Sequence, residues 1–261
     1  MKNDKRKEYW NKDYYEYWKK RVKESNEKHK SSTLLKDDSL ASSDLNYLES
    51  IELLDMKNES IVLEIGCGFG RSLKLLSKLS EKVVAIDISE MMIEKAKINN
   101  SKLHNIVFIV SEAEDTDFRN NYFDYIVCFA VFDALDQLKA LNEINRLLKL
   151  GGKVILTGKN NNYYKNDKKA IIAERNARKK GHPNYFTDYK KLLENIQKFG
   201  FKVIHNHFFI RRGDFIKRKF VKNMPNKFYE YRLVLQKTGY SNYKNKISFK
   251  YSKTYLEING R

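Results

Sequence analysis

Between residues 58 and 160 apolar positions gather in short unbroken runs, and polar stretches with helical spacing separate them. The runs are IVLEI (61–65), KVVAID (82–87), NIVFIV (105–110), YFDYIVCFAVF (122–132) and KVILTG (153–158). They are continuous rather than alternating, as expected of strands covered on both faces. Between them lie RSLKLLSKL (71–79), with Leu75 and Leu79 one turn apart, and SEMMIEKAKINN (89–100), opened by Ser89 as an N-cap. A further helix runs through LNEINRLLKL (141–150). Strands alternating with helices of about ten residues predict a doubly wound α/β fold with a mostly parallel sheet. A helix from Thr187 to Phe199, ended by Gly200, then leads into two more strands, FKVIHNHFFI (201–210) and YEYRLVLQK (229–237). These form a predicted antiparallel edge hairpin, joined by a basic connection that carries Pro225.

The flanks read differently. Residues 1 to 30 mix Tyr and Trp with Lys and Glu and contain no Gly or Pro, which predicts one or two helices. Tyr14, Tyr17, Trp18 and Arg21 share one helical face, either as a stripe docked on the core or as a lid that closes over a ligand. Residues 31–43 read as a loop and 44–54 as a helix, while 159–184 is polar and poorly periodic. The expected organisation is an N-terminal helical lid (1–55), a core (56–240) with an insertion at 159–186, and a C-terminal extension (241–261). No apolar run approaches the roughly 20 residues of a membrane span, and no apolar segment follows the basic N-terminus, so the expected compartment is the cytoplasm. Cys67 and Cys128 are the only cysteines, too few for a disulfide framework or a cysteine zinc site, and read as reduced thiols. His205 and His207 alternate on one strand without a third metal ligand, so no metal is expected.

A net charge of +18 fits an anionic partner such as nucleic acid, a phosphorylated metabolite or a sugar nucleotide. It equally fits a Lys- and Asn-rich codon bias, since the basic residues spread along the whole chain. The densest basic group is Arg211, Arg212, Lys217, Arg218 and Lys219.

The candidate chemistry begins with VLEIGCGFG (62–70), where Gly66, Gly68 and Gly70 follow a strand and precede a helix. Such a loop lets a ligand approach backbone amides at a helix N-terminus. The spacing is GxGxG and not the GxGxxG of dinucleotide sites, which disfavours NAD. Asp87 closes the second strand about 20 residues later, where an acid accepts ribose hydroxyls. Glu112 and Ala113 follow the third strand, and LLKLGG (147–152) turns a helix into the next strand.

With these stretches in this order, the chain resembles the class I S-adenosylmethionine-dependent methyltransferases, over residues 58–160 in motifs and 185–237 in architecture. The resemblance implies a Rossmann-like core and S-adenosyl-L-methionine as cofactor. It implies that Glu64, Gly66, Cys67, Gly68 and Gly70 surround the methionine part, that Asp87 with Ile88 grips the ribose, and that Glu112 and Ala113 meet the adenine. Phe129 then lies near the methionine moiety, with Phe132 and Asp133 toward the acceptor. Leu150 stands where the family usually has Pro, a departure in a turn.

Asp133 and His182 are the candidates for a general base, against a helix cap for Asp133 and an ordinary loop histidine for His182. Trp18, Arg21, Phe132 and Tyr185 are the expected acceptor contacts. The Asn/Asp-Pro-Pro-aromatic signature of exocyclic-amine methylation is absent after the fourth strand, which reads CFAVFDA, and no Pro precedes Cys128 as in cytosine C5 enzymes. The layout also resembles methyltransferases of bacterial capsule and surface-glycan biosynthesis, which implies a small anionic acceptor such as a sugar nucleotide or phosphorylated precursor. An RNA-binding or RNA-modifying protein of the same fold is the alternative. The sequence sets no oligomeric state.

Overall fold

The computed structural model describes residues 7–14, 16, 46–181 and 184–260. Its strands are β1 (Ile61–Ile65), β2 (Lys82–Asp87), β3 (Ile106–Val110), β4 (Phe123–Cys128), β5 (Leu148–Lys159), β6 (Phe186–Thr187), β7 (Phe201–Phe209), β8 (Glu230–Lys237) and β9 (Ser248–Phe249). Helices are α1 (Leu73–Leu79), α2 (Glu90–Asn99), α3 (Gln137–Leu147), α4 (Lys168–Lys179), α5 (Tyr189–Glu194) and α6 (Lys253–Asn259). Seven strands form one sheet in the order β3-β2-β1-β4-β5-β8-β7, with β8 antiparallel to both its neighbours. This is the mostly parallel, Rossmann-like sheet with an antiparallel edge that the hydrophobic pattern predicts.

Both faces of the sheet are covered, which is why its strands read as continuous apolar runs. Leu63 and Ile65 of β1 join α3 residues Leu141 and Ile144 in one core, whereas Val62 faces Leu73, Leu76 and Ile93 of α1 and α2 in the other. Each such fully buried aliphatic side chain contributes roughly 1.5–3 kcal/mol. The chain leaves β1 toward β2 on one side and returns to β4 on the other, so a crevice opens where strand order reverses.

Besides β5, which starts at Leu148 and so ends α3 three residues before the expected Leu150, three segments depart from the sequence reading. First, β4 stops at Cys128 rather than running to 132. Ala130 takes a left-handed φ of 55°, and its amide donates to Thr157 Oγ1 at 2.8 Å, so the chain bends over β5 into a 3-10 turn at Phe132–Ala134. Second, the helix expected from Thr187 to Phe199 is broken: Thr187 belongs to β6, Asp188 caps α5, and a 3-10 turn leads to Gly200 at φ 74°. Third, the polar stretch 159–184 contains the twelve-residue α4, whose cap Asp167 accepts from Ala170 N at 3.1 Å and from Arg212 N at 2.8 Å. Residues of the C-terminal extension close over this insertion. Buried Glu174 of α4 accepts from Tyr163 Oη at 2.7 Å, Ser252 Oγ at 2.8 Å and Ser252 N at 2.9 Å.

Candidate active site

The crevice at the strand-order reversal is a cleft with about 1060 Å³ of space between its walls, open solvent included. Its floor is the turn after β1. Gly66 sits at φ 69°, and a Cβ there would lie 2.3 Å from Val131 Cγ2, so only glycine lets the turn after β4 pack this close. Gly68 sits at φ 53°, with no atom within 4 Å of where its Cβ would be. One position is closed by protein, the other open.

Two carboxylates line the cleft. Asp87 ends β2, where its Oδ2 accepts from Gly68 N and its Oδ1 from Ser89 N, both at 2.9 Å. Burial pushes its pKa up, and those two amides pull against that rise. Glu64 is only 4% exposed; Ser72 Oγ donates to its Oε1, while Oε2 is buried with no hydrogen-bond partner. Burial pushes its pKa from 4.5 to about 7, with Ser72 opposing and Asp87 adding to the rise. A buried acceptor left open costs about 1–3 kcal/mol, so Glu64 is built for a donor the protein does not supply.

Aromatic walls complete the cleft. Phe129 stacks on Tyr47 with ring centroids 4.9 Å apart, and the Arg71 guanidinium lies 5.5 Å from the Tyr47 ring centre. Trp10 and Tyr14 line the cleft as well. An orphaned carboxylate, an open glycine and an amide-held second acid suit the amino group, backbone approach and ribose hydroxyls of S-adenosylmethionine.

Residues 63–156 match the family model described as a methyltransferase domain. These residues form a class I, S-adenosylmethionine-dependent methyltransferase domain. An uncharacterized protein of Methanocaldococcus jannaschii is 31% identical over 195 residues, which is 71% of this chain and 63% of that protein. Demethylmenaquinone methyltransferase of Staphylococcus saprophyticus is 33% identical over 106 residues, 39% of this chain and 46% of the relative. The chain thus matches less than two thirds of the length of either curated relative. The crystal structure of the YcgJ protein from Bacillus subtilis shares the fold, with a TM-score of 0.57 at 18% identity over 76% of this chain and 99% of that one.

Of the residues expected at the cofactor, Glu64, Gly66, Cys67, Gly68, Asp87, Ile88, Ala113 and Phe129 line the cleft of the methyltransferase domain. Gly70 does not: a Cβ there would lie 2.4 Å from Asn100 Nδ2, so its bare Cα serves packing against α2. Glu112 also lies outside the lining, although its neighbours Ser111 and Ala113 belong to it.

The expected acceptor side needs more correction. Phe132 is fully buried in the core under β4, so it cannot face an acceptor. Asp133 does not line the cleft; its carboxylate is ion-paired with Lys159, whose Nζ also donates to Asn184 Oδ1 at 2.8 Å. Burial alone would depress the Lys159 pKa, but the Asp133 carboxylate reverses that and holds the ammonium firmly charged. Nor does Asp133 cap α3, since Asp136 takes that role by accepting from Lys139 N at 3.3 Å. Tyr185 stays off the cleft lining and donates its amide to Asp133 O at 2.7 Å. Trp18, Arg21 and His182 lie outside the described residues.

Sequence reading missed Tyr47, Arg71, Ser72 and Trp10 as lining residues. Ser72 and Arg71 were findable, because they open the helix that follows the glycine loop; Tyr47 had no signal, because its helix precedes the motif region. Among the described residues no group of three metal-ligating side chains comes together, and no helix is long and apolar enough to cross a membrane. His207 is engaged with Arg232, accepting from Nε at 3.1 Å.

Proposed function

We propose that this chain transfers a methyl group from S-adenosylmethionine to a small, polar, anionic acceptor such as a sugar nucleotide or a phosphorylated precursor. The observation that carries the donor half is the orphaned Glu64 carboxylate, set in one cleft with the open Gly68 and Asp87 at the strand-order reversal. When bound, the cofactor supplies an electrophilic methyl group on a sulfonium. Glu64 would hold its amino group, Asp87 its ribose hydroxyls, and the Ser111–Ala113 corner its adenine. Phe129 and Tyr47 keep water from the methionine end, and Val131, in the turn after β4, packs on Gly66. Alignment in a water-poor site is the main demand of such a displacement.

On the acceptor question, charged side chains gather at the edge where β4 and β5 end and β8 begins. Lys159 and Glu230 face each other across β5 and β8, and Arg212 donates to Tyr229 Oη at 2.8 Å beside them. Asp133 and Glu230 balance these two cations, so the support for an anionic acceptor is the chain's net charge of +18. The relative named for demethylmenaquinone supports a small-molecule acceptor. The RNA alternative has less to rest on: of its basic group, Arg211 bonds Asn166 and Arg218 pairs with Glu49. Tritiated S-adenosylmethionine offered with sugar nucleotides, sugar phosphates and total RNA tests the reading. Label is expected in a phosphorylated small molecule, and label in RNA alone would overturn the acceptor assignment.

A further inference from the structure

Residues Tyr9–Tyr14 form a single π-helical turn, a conformation that is rare and frequent at functional sites. The turn is fastened to the corner between β2 and α2. Ser89 Oγ donates to Asn11 Oδ1 at 2.7 Å, Met91 N approaches the same oxygen at 3.5 Å, and Lys7 Nζ pairs with Glu90 Oε1 at 2.7 Å. Ser89 lies two residues beyond Asp87, so the fastening is at the ribose end of the cleft. Trp10 meets Tyr14 edge-on, with centroids 4.6 Å apart at 71°, and Tyr9 meets Trp10 at 5.0 Å and 80°. Both Trp10 and Tyr14 line the cleft together with Asp87, Ile88 and Met92.

The sequence reading gave the N-terminal aromatic face to the acceptor. Its described part instead joins the donor side. We infer that Trp10 and Tyr14 form an aromatic wall that recognises the adenosine half of the cofactor, with Asn11 and Lys7 holding that wall on the β2–α2 corner. This rests on the donor reading given above. A base or ribose packed on an indole gains dispersion and π-face contact without needing a hydrogen bond, and the two perpendicular rings hold one another in place before the ligand arrives. The methionine end already has its own aromatic pair, Tyr47 and Phe129, so the two halves of the ligand would each meet a separate aromatic surface.

The chain has two tryptophans, so the full-length Trp18→Phe variant leaves Trp10 as the sole indole reporter. In that variant S-adenosylhomocysteine and adenosine are each expected to shift Trp10 emission and protect it from acrylamide, while methionine does neither. In a second full-length variant, Trp10→Ala with Tyr14→Ala, calorimetry is expected to show S-adenosylhomocysteine binding weakened at least about tenfold, as lost stacking predicts. Binding by calorimetry with Trp10 emission and acrylamide access unchanged would overturn the inference, as would protection by methionine and not by adenosine. Absence of S-adenosylhomocysteine binding to the unaltered chain would overturn the donor reading as well, and calorimetry alone tells that result from the others.

Discussion

Gly66 and Gly68 share a left-handed backbone, yet the side chains they lack would meet different things. At Gly66 a Cβ collides with Val131, so Gly66→Ala combines left-handed strain with a packing clash and is expected to lower stability by about 2–4 kcal/mol in urea unfolding. At Gly68 the space is open, so Gly68→Val is expected to lose only about 1–2 kcal/mol of stability while abolishing S-adenosylhomocysteine binding. Equal stability losses at the two sites would show that the cleft does not lie where Gly68 faces. Glu64 carries a second contrast. Its pKa rises from 4.5 unfolded to about 7 folded, so the folded state holds the extra proton between those values, and stability falls as pH rises through that window. Glu64→Gln is therefore expected to stabilise the ligand-free chain by about 1–3 kcal/mol at pH 8 and to leave it unchanged near pH 4, while weakening cofactor binding at least tenfold at pH 8. A Gln variant that is less stable at pH 8 would remove the case for an unsatisfied carboxylate.

Among the elements, the turn after β4 separates what the sequence showed from what it hid. Strands β1, β2, β4 and the 154–158 stretch of β5 were legible because burial on both faces leaves a continuous apolar run, the edge strand β3 was legible from its β-branched residues, and Asp87 was legible because topology puts the end of β2 at the crevice. The bend at Ala130 was not, because alanine carries no signal for a left-handed backbone; the family resemblance alone put Phe132 and Asp133 toward the acceptor. Likewise α4 was hidden because most of its surface is Lys, Arg and Asn, and only Ala170, Ile171 and Glu174 are buried. The partner of Asp133 was out of reach too, since Lys159 lies 26 positions away in sequence. Because that pair is largely buried, Asp133→Ala is expected to cost about 3 kcal/mol and to lower the melting temperature by several degrees, with cofactor binding retained. An unchanged melting temperature with turnover lost would return Asp133 to the catalytic role.

Across the whole molecule, opposing titrations shape stability. His207, 5% exposed, is depressed from 6.5 to about 4 by burial and by the Arg232 cation it faces, with His205 and Lys222 adding smaller repulsions. A base whose folded pKa is depressed contributes stability that is present above 6.5 and lost as pH falls toward 4. Glu64 and Glu230, both raised to about 7 chiefly by burial, work in the other direction between 4.5 and 7. Two carboxylates outweigh one imidazole, so the stability of the unaltered chain should fall as pH rises from 5 to 7. His207→Gln is expected to steepen the gain in stability on acidification across that interval, which urea midpoints at pH 5 and pH 7 would reveal; a difference between them equal to that of the unaltered chain would rule out a contribution from His207. The central claim is that one cleft, closed beneath by Gly66 and Val131 and flanked by Glu64 and Asp87, holds an adenosyl sulfur cofactor. Isothermal calorimetry of the full chain with S-adenosylhomocysteine, run beside NAD, tests it most directly. One equivalent of S-adenosylhomocysteine should bind, and Asp87→Ala should weaken that binding by about 1–3 kcal/mol while NAD gives no heat. Binding of NAD in its place, or of neither, would contradict the claim.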